Sequence, residues 1–331
     1  MRSPIQPRHV AHNTYAFAFA LLYLAIADAH AEAGRAAPRE VRFTGPLVSG
    51  APPLPRGLFN IEPYLIDTQV VGYYDEKRNR HDIDRTPDGW NLVVPMQYGV
   101  TERLTLGATL SAGLASTTGS GRHLETGDTG LSLSWLLAKG DAAHAATLTF
   151  ALRQNLATGT HDDLERHGLA EATGTGAPST RVGLYGQAYF LPERTLRGRI
   201  NLSWRVPGAR AAIDGTSAYG TPAGFSGHAE LASAMQASIG LEYSLSPTWV
   251  LATDLVYERD RGAHVAGVVA NADGVRRLER DVTAWWRQSV APAVEYHWSD
   301  RVGLIAGALV SVEGRNSAAI VSPQIALNMV F

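Results

Sequence analysis

Four arginines, if they share one surface, would repel cations and favour anions. Arg153, Arg181, Arg199 and Arg205 each fall on the polar phase of a segment in which apolar and polar residues alternate. In an extended chain residues i and i+2 point the same way, so such a phase forms one face. Glu242, Asp254, Glu258 and Glu295 hold the same phase on later segments, with Arg287 the one basic residue among them. A basic wall opposite or beside an acidic one produces a transverse field, which orients water and dipolar solutes in a narrow passage. The alternative is pairing across the interior, because charge is costly to bury without water or a partner.

Other constellations are weaker. Asp75, Glu76, Asp82 and Asp84 offer oxygen ligands for a divalent cation, but Lys77, Arg78 and Arg80 lie among them. That mixture reads as a solvated or lipopolysaccharide-facing surface. His161, Asp162, Asp163 and His167 resemble a metal set in composition only, within a long connection. Glu295 and His297 share a strand face and could relay a proton, although their place near a rim favours ordinary hydrogen bonding. The chain has no cysteine, which excludes disulfides, thiolate catalysis and thiolate metal sites. No His-x-Ser arrangement faces outward at mid-strand, as a lipid-hydrolysing barrel would need. His228 and Glu230 are nominal candidates for a protease-type rim, and nothing in the sequence converges on them. No enzymatic activity, cofactor or metal is expected.

The elements that carry these side chains repeat at period two. Trp90, Leu92, Val94, Met96 and Tyr98 alternate with polar or small residues; Thr101-Glu102-Arg103 turns the chain; Leu104, Leu106, Ala108 and Leu110 resume the pattern. Further strands are expected near 129–138, 145–156, 180–191, 197–206, 234–245, 249–259, 286–298 and 302–312, with an opening strand near 57–68 and a closing one near 319–331. Each is close to the roughly 9–11 residues that a tilted strand needs to cross a bilayer. The count of twelve is even, as a closed transmembrane antiparallel up-and-down β-barrel with both termini on one side requires. Short turns near 101–103, 139–141, 192–194, 246–248 and 299–301 alternate with long segments and one short tip at Glu313-Gly314-Arg315. Tyr98, Phe190, Tyr243, Trp249, Trp298 and Phe331 would face outward at the short-turn end, and Trp90, Trp204, Tyr257 and Trp286 near the other. Two aromatic belts are what headgroup depth selects.

Composition and termini fit the same class. The chain has 331 residues, 45% hydrophobic, with formal charge -2 and mean hydropathy -0.08. Such averages suit a barrel whose polar interior dilutes its apolar exterior and give no reason to expect nucleic-acid binding. Arg2 and Arg8, the apolar run Ala16–Ile26 and Ala29-His30-Ala31 read as a cleaved signal peptide over residues 1–31. A periplasmic lead-in over 32–56 and a barrel over 57–331 would follow, in the bacterial outer membrane. The chain closes on Ile325-Ala326-Leu327-Asn328-Met329-Val330-Phe331, an alternating strand ending on an aromatic residue. This looks like the insertion signal read by the barrel-assembly machinery. The remaining expected partners are outer-membrane lipid, lipopolysaccharide and a small-molecule solute.

Phe43-Thr44-Gly45-Pro46-Leu47, Leu54-Pro55-Arg56-Gly57 and Phe59-Asn60-Ile61-Glu62-Pro63-Tyr64-Leu65 open the mature chain. With the Tyr98–Arg103 hairpin and the Asn328–Phe331 ending, this resembles a family of outer-membrane transporters associated with meta-pathway phenol degradation. The resemblance implies a barrel that admits aromatic or other small hydrophobic compounds, and it implies no catalytic residue. The residues themselves leave two outcomes open, a channel for passive diffusion or a plugged barrel acting through its external loops. Pro63 removes a ladder donor from the first strand, and a bulge is expected there beside the closing seam, with Pro323 on the closing strand doing likewise.

Overall fold

The computed structural model describes residues 41–83, 88–116, 121–140, 144–169, 171–272 and 274–331. The leader, residues 32–40 of the lead-in and Asp84 lie outside the described residues. Twelve antiparallel strands form a closed wall. The first seven are β1 (Phe59–Ile61 and Tyr64–Tyr74), β2 (Asp88–Gly99), β3 (Leu104–Ser116), β4 (Thr129–Lys139), β5 (Thr147–Leu156), β6 (Ser179–Phe190) and β7 (Leu196–Arg205). Then come β8 (Ala234–Ser244), β9 (Trp249–Asp260), β10 (Trp285–His297), β11 (Val302–Arg315) and β12 (Ser317–Val330). Each pairs with its sequence neighbour, and β12 closes on β1 through Ser317↔Tyr74, Ile325↔Leu65 and Asn60↔Val330. Closure leaves no wall edge with unpaired backbone groups, the condition for a sheet to sit in hydrocarbon.

Inside and outside are set by the alternation. Along β7, Arg197, Arg199, Asn201 and Ser203 are buried while Ile200, Leu202 and Trp204 are exposed. This inversion of the soluble pattern repeats around the wall, where Leu106, Leu110, Leu131, Leu184, Ile239 and Leu255 face out. All six aromatics of the short-turn belt are exposed, as are Trp90 and Trp204. Tyr257 and Trp286 are half-buried because their rings pack together at 6.1 Å. Phe331 is 62% exposed and is tied to the first strand by reciprocal backbone bonds with Phe59 at 2.8 and 3.1 Å. Pro63 does interrupt β1: the strand breaks at Glu62–Pro63, and the Pro63 carbonyl still accepts from Leu327 N at 3.2 Å. The β1–β12 register slips instead between Ala319 and Ile320, and Pro323 stays in register opposite Ala308 of β11.

Two features depart from the sequence reading. The long connections after β7 and β9 are not simple loops; they build a separate four-stranded sheet from Arg210–Asp214, Phe225–Leu231, Ala263–Asn271 and Gly274–Asp281. Its own core holds Ile213, Phe225, Ala229, Val265 and Val269. Tyr219 ties it to the connection between β5 and β6 by donating to the Thr175 carbonyl at 2.5 Å, and burial raises its phenol to about 12. The second departure is the lead-in. Its described part, 41–56, does not hang below the barrel but runs inside it.

A lumen shared between a cavity and the N-terminal segment

The lead-in is broken by Pro46, Pro52, Pro53 and Pro55, which lack N–H donors, and the barrel wall satisfies its remaining backbone groups. Thr44 N donates to Glu295 Oε2 at 2.6 Å. Val48 N and Ser49 N donate to Asp254 at 2.9 and 3.2 Å, and Ser49 Oγ donates to the same carboxylate at 2.6 Å. Arg199 Nη1 donates to the Ser49 carbonyl at 2.9 Å, and Leu54 N to Thr105 Oγ1 at 2.8 Å. Leu47 packs into a bed of Ala252, Ala291, Ala293, Ala326 and Ile305. Small inward residues on β9, β10 and β12 therefore leave the space that the segment fills. Gly240 serves the same approach, since a Cβ there would stand 2.8 Å from Pro46 Cγ and 2.9 Å from Ser49 Oγ.

The acidic residues thus do not present a bare wall. Asp254 and Glu295 hold the lead-in, and Glu295 also meets His297 Nε2 at 3.2 Å. Glu242 is fully buried and accepts a two-pronged bond from Arg197 at 2.6 and 2.5 Å, with Arg199 Nε 3.8 Å away. Glu258 accepts from Arg287 at 2.7 Å. Arg205 Nη2 bonds Asp260 at 3.0 Å and the Ala232 carbonyl at 2.8 Å. The expected opposition of two open walls is corrected accordingly. Arg197↔Glu242 and Glu258↔Arg287 are directly opposed cross-strand positions, close enough to pair, and buried charge demands a partner.

Arg153 and Arg181 are the exceptions. Among the described residues neither has a carboxylate in ion-pair range; Arg153 Nε donates to Asn155 Oδ1 at 3.1 Å and Arg181 Nη1 to Ser203 Oγ at 3.3 Å. Both border a cavity of about 630 Å³ bounded by residues 44–51 on one side and by residues of β1–β8 and Gln324 of β12 around the rest. Glu62 and Tyr64, which flank Pro63, also face this cavity, and Tyr64 Oη donates to Glu62 at 3.0 Å. Arg197, Ser49 and Thr44 are the functional residues that strand patterning misses. Buried carboxylates with no inward arginine beside them are the one sequence signal that could have exposed the lead-in's place.

The external clusters are structural. Asp75 accepts from Lys77 N, Asn79 N and His81 Nε2 within one turn, and the His81 and Asn79 bonds hold its carboxyl well below the usual range. Asp82 pairs with Arg80. His161 Nε2 meets the Ala212 carbonyl at 2.8 Å, Asp162 takes Asp214 N, and Asp163 pairs with Arg166. Among the described residues no three such side chains converge as a metal set. Glu230 pairs with Arg210 on the outer sheet.

His264, on that sheet, lies 2.8 Å from Asp281 and 3.5 Å from Glu279. The Asp281 hydrogen bond raises the exposed imidazole above its ordinary value. Its charged pairing is fully present below the unfolded value of about 6.5 and is lost as pH rises through the higher folded one. An NMR titration should place His264 above about 6.5 and show it falling toward that value in Asp281→Asn. An unchanged midpoint in the variant would refute the pairing.

The fold is that of an outer-membrane barrel. The solved outer-membrane channel from Pseudomonas putida F1 matches 87% of this chain and 100% of its own, at 15% identity and a TM-score of 0.62. The NanC porin matches 81% and 98% at 9% identity and TM-score 0.44, and the CymD monoaromatic hydrocarbon channel 84% and 89% at 12% and 0.35. No protein-family model and no curated protein sequence matches the chain. The closed wall, its apolar exterior and its two aromatic belts place the protein in the bacterial outer membrane.

Proposed function

We propose that the protein is a channel for passive diffusion of small solutes, aromatic and other hydrophobic compounds included. The observation that carries this is the cavity of about 630 Å³, which the interior side chains leave unfilled. Twelve strands lie between the side-chain-filled eight-strand barrels and the aqueous porins of 16–18 strands. The likeness of the first strand to transporters linked to phenol degradation supports aromatic solutes. A plugged barrel acting through its outer sheet is the second reading, favoured by the anchors on residues 44–49.

Refolded protein in planar bilayers separates the two. Discrete conductance steps are expected for a channel; silent membranes from heat-modifiable, folded protein would leave only the plugged barrel. Phe331, we infer, also serves assembly. Phe331→Ala should lower the yield of inserted barrel in cells while refolding in detergent is retained, and equal cellular yield would remove that role.

A further inference from the structure

We infer that the cavity contains an anion site, formed by Arg153 and Arg181, for small organic monoanions that carry a flat apolar body. The inference deepens the channel reading and rests on it for its meaning in the cell. It begins in the register. Arg153 on β5 is the direct partner of Arg181 on β6, and Arg181 is the direct partner of Arg205 on β7. Three guanidiniums therefore form one transverse row, and like charges directly opposite one another are destabilising. Asp260 relieves Arg205. Asp260 acts on Arg181 only from beyond ion-pair range, and among the described residues no carboxylate pairs with either Arg153 or Arg181.

Each guanidinium carries five N–H donors, and among the described residues each makes one bond to a side chain. Both side chains line the cavity, and the donors left over suit the two oxygens of a carboxylate. Arg153 is held in place: a Cβ at Gly130 would stand 2.9 Å from its Nη2, so the missing side chain is what lets it lie against β4. Tyr185 adds a flat surface beside the pair, its ring edges close to Gly50 and Gly183. Across the lumen, the cavity meets Ile66 of β1 and Val93 and Pro95 of β2, an apolar patch beside the Glu62–Tyr64 pair that a purely polar solute would leave unused. One charged end and one apolar face match a small ring-bearing carboxylate, within a volume typical of ligand sites.

Benzoate is the probe, with benzamide as its uncharged counterpart and acetate as the charge without the ring. Calorimetry on full-length folded protein in low-salt detergent should show saturable benzoate binding. Benzamide and acetate should each bind about tenfold more weakly or worse, and R153Q/R181Q should lose benzoate by a similar factor. Heat-modifiability reports whether the variant has folded; if the double variant has not, R153Q alone carries the test. Benzamide binding as tightly as benzoate, or acetate doing so, would overturn the inference, as would undiminished benzoate binding in the folded variant. Conductance without benzoate binding sinks the anion site and keeps the channel. Benzoate binding with silent bilayers does the reverse.

Discussion

Deleting residues 43–54 is expected to raise unit conductance several-fold and to shift selectivity toward cations. The segment lies against β7–β12, where Leu47 fills a bed of alanines, and reaches Thr105 of β3 through Leu54. None of the wall's ladder bonds depends on it, so the barrel should still close. Its removal strips Asp254 of three donors and Glu295 of the Thr44 amide. Two carboxylates would then face water, while Arg197 remains neutralised by Glu242. Asp254→Asn is the milder version, expected to give noisier currents because the amide cannot match an ionised acceptor for two N–H groups and a hydroxyl. Single-channel recording decides the matter. A deletion variant with wild-type conductance would mean that solute passes elsewhere, or that the segment leaves the lumen unaided.

The wall was readable because two independent constraints coincide on it. Lipid requires apolar residues at every second position, and the bilayer fixes strand length, so Leu104–Ala112 or Trp249–Arg259 can be assigned without any tertiary information. Arg197 escaped because it stands next to the β6–β7 turn, where the alternation has barely begun. The outer sheet escaped for a different reason. Ala263, Val265 and Val269 do alternate toward a core, but the even count was already met by twelve wall strands, and their faces carry charge such as Arg276 and Arg280. The lead-in had no local signal at all. Pro46, Gly50, Pro52 and Pro53 read as a linker, and only the distant carboxylates that receive its amides reveal its place. Whether two buried charges pair or oppose one another likewise depends on register, which strand patterning fixes only to within a residue or two. A one-residue slip would move Glu242 to the lipid side.

Glu242→Ala should cost about 3–5 kcal/mol of folding stability, the largest loss expected from a single substitution in the wall. Its carboxylate is fully buried and lies between Arg197, which it pairs with at two atoms, and Arg199 at 3.8 Å. Removing it leaves two adjacent buried guanidiniums that share Glu295, itself engaged by Thr44 and His297, as the carboxylate still in electrostatic reach, and Arg197 keeps the face of the Phe43 ring at 4.6 Å. Most of the penalty is thus the stranded charge rather than the lost attraction. The double variant Arg197→Met/Glu242→Leu tests that distinction, because it removes both charges and keeps much of the volume. Arg199 retains Gln187 and the Ser49 carbonyl, so the double variant is expected to recover more than half of the loss. Urea unfolding in lipid vesicles, followed by tryptophan fluorescence, measures both. If Glu242→Ala loses less than about 1 kcal/mol, the pair is hydrated and behaves like a surface bridge. The lumen would then be wetter at this level than its packing implies, and the β7–β8 seam would become the place to look for a second route past the lead-in.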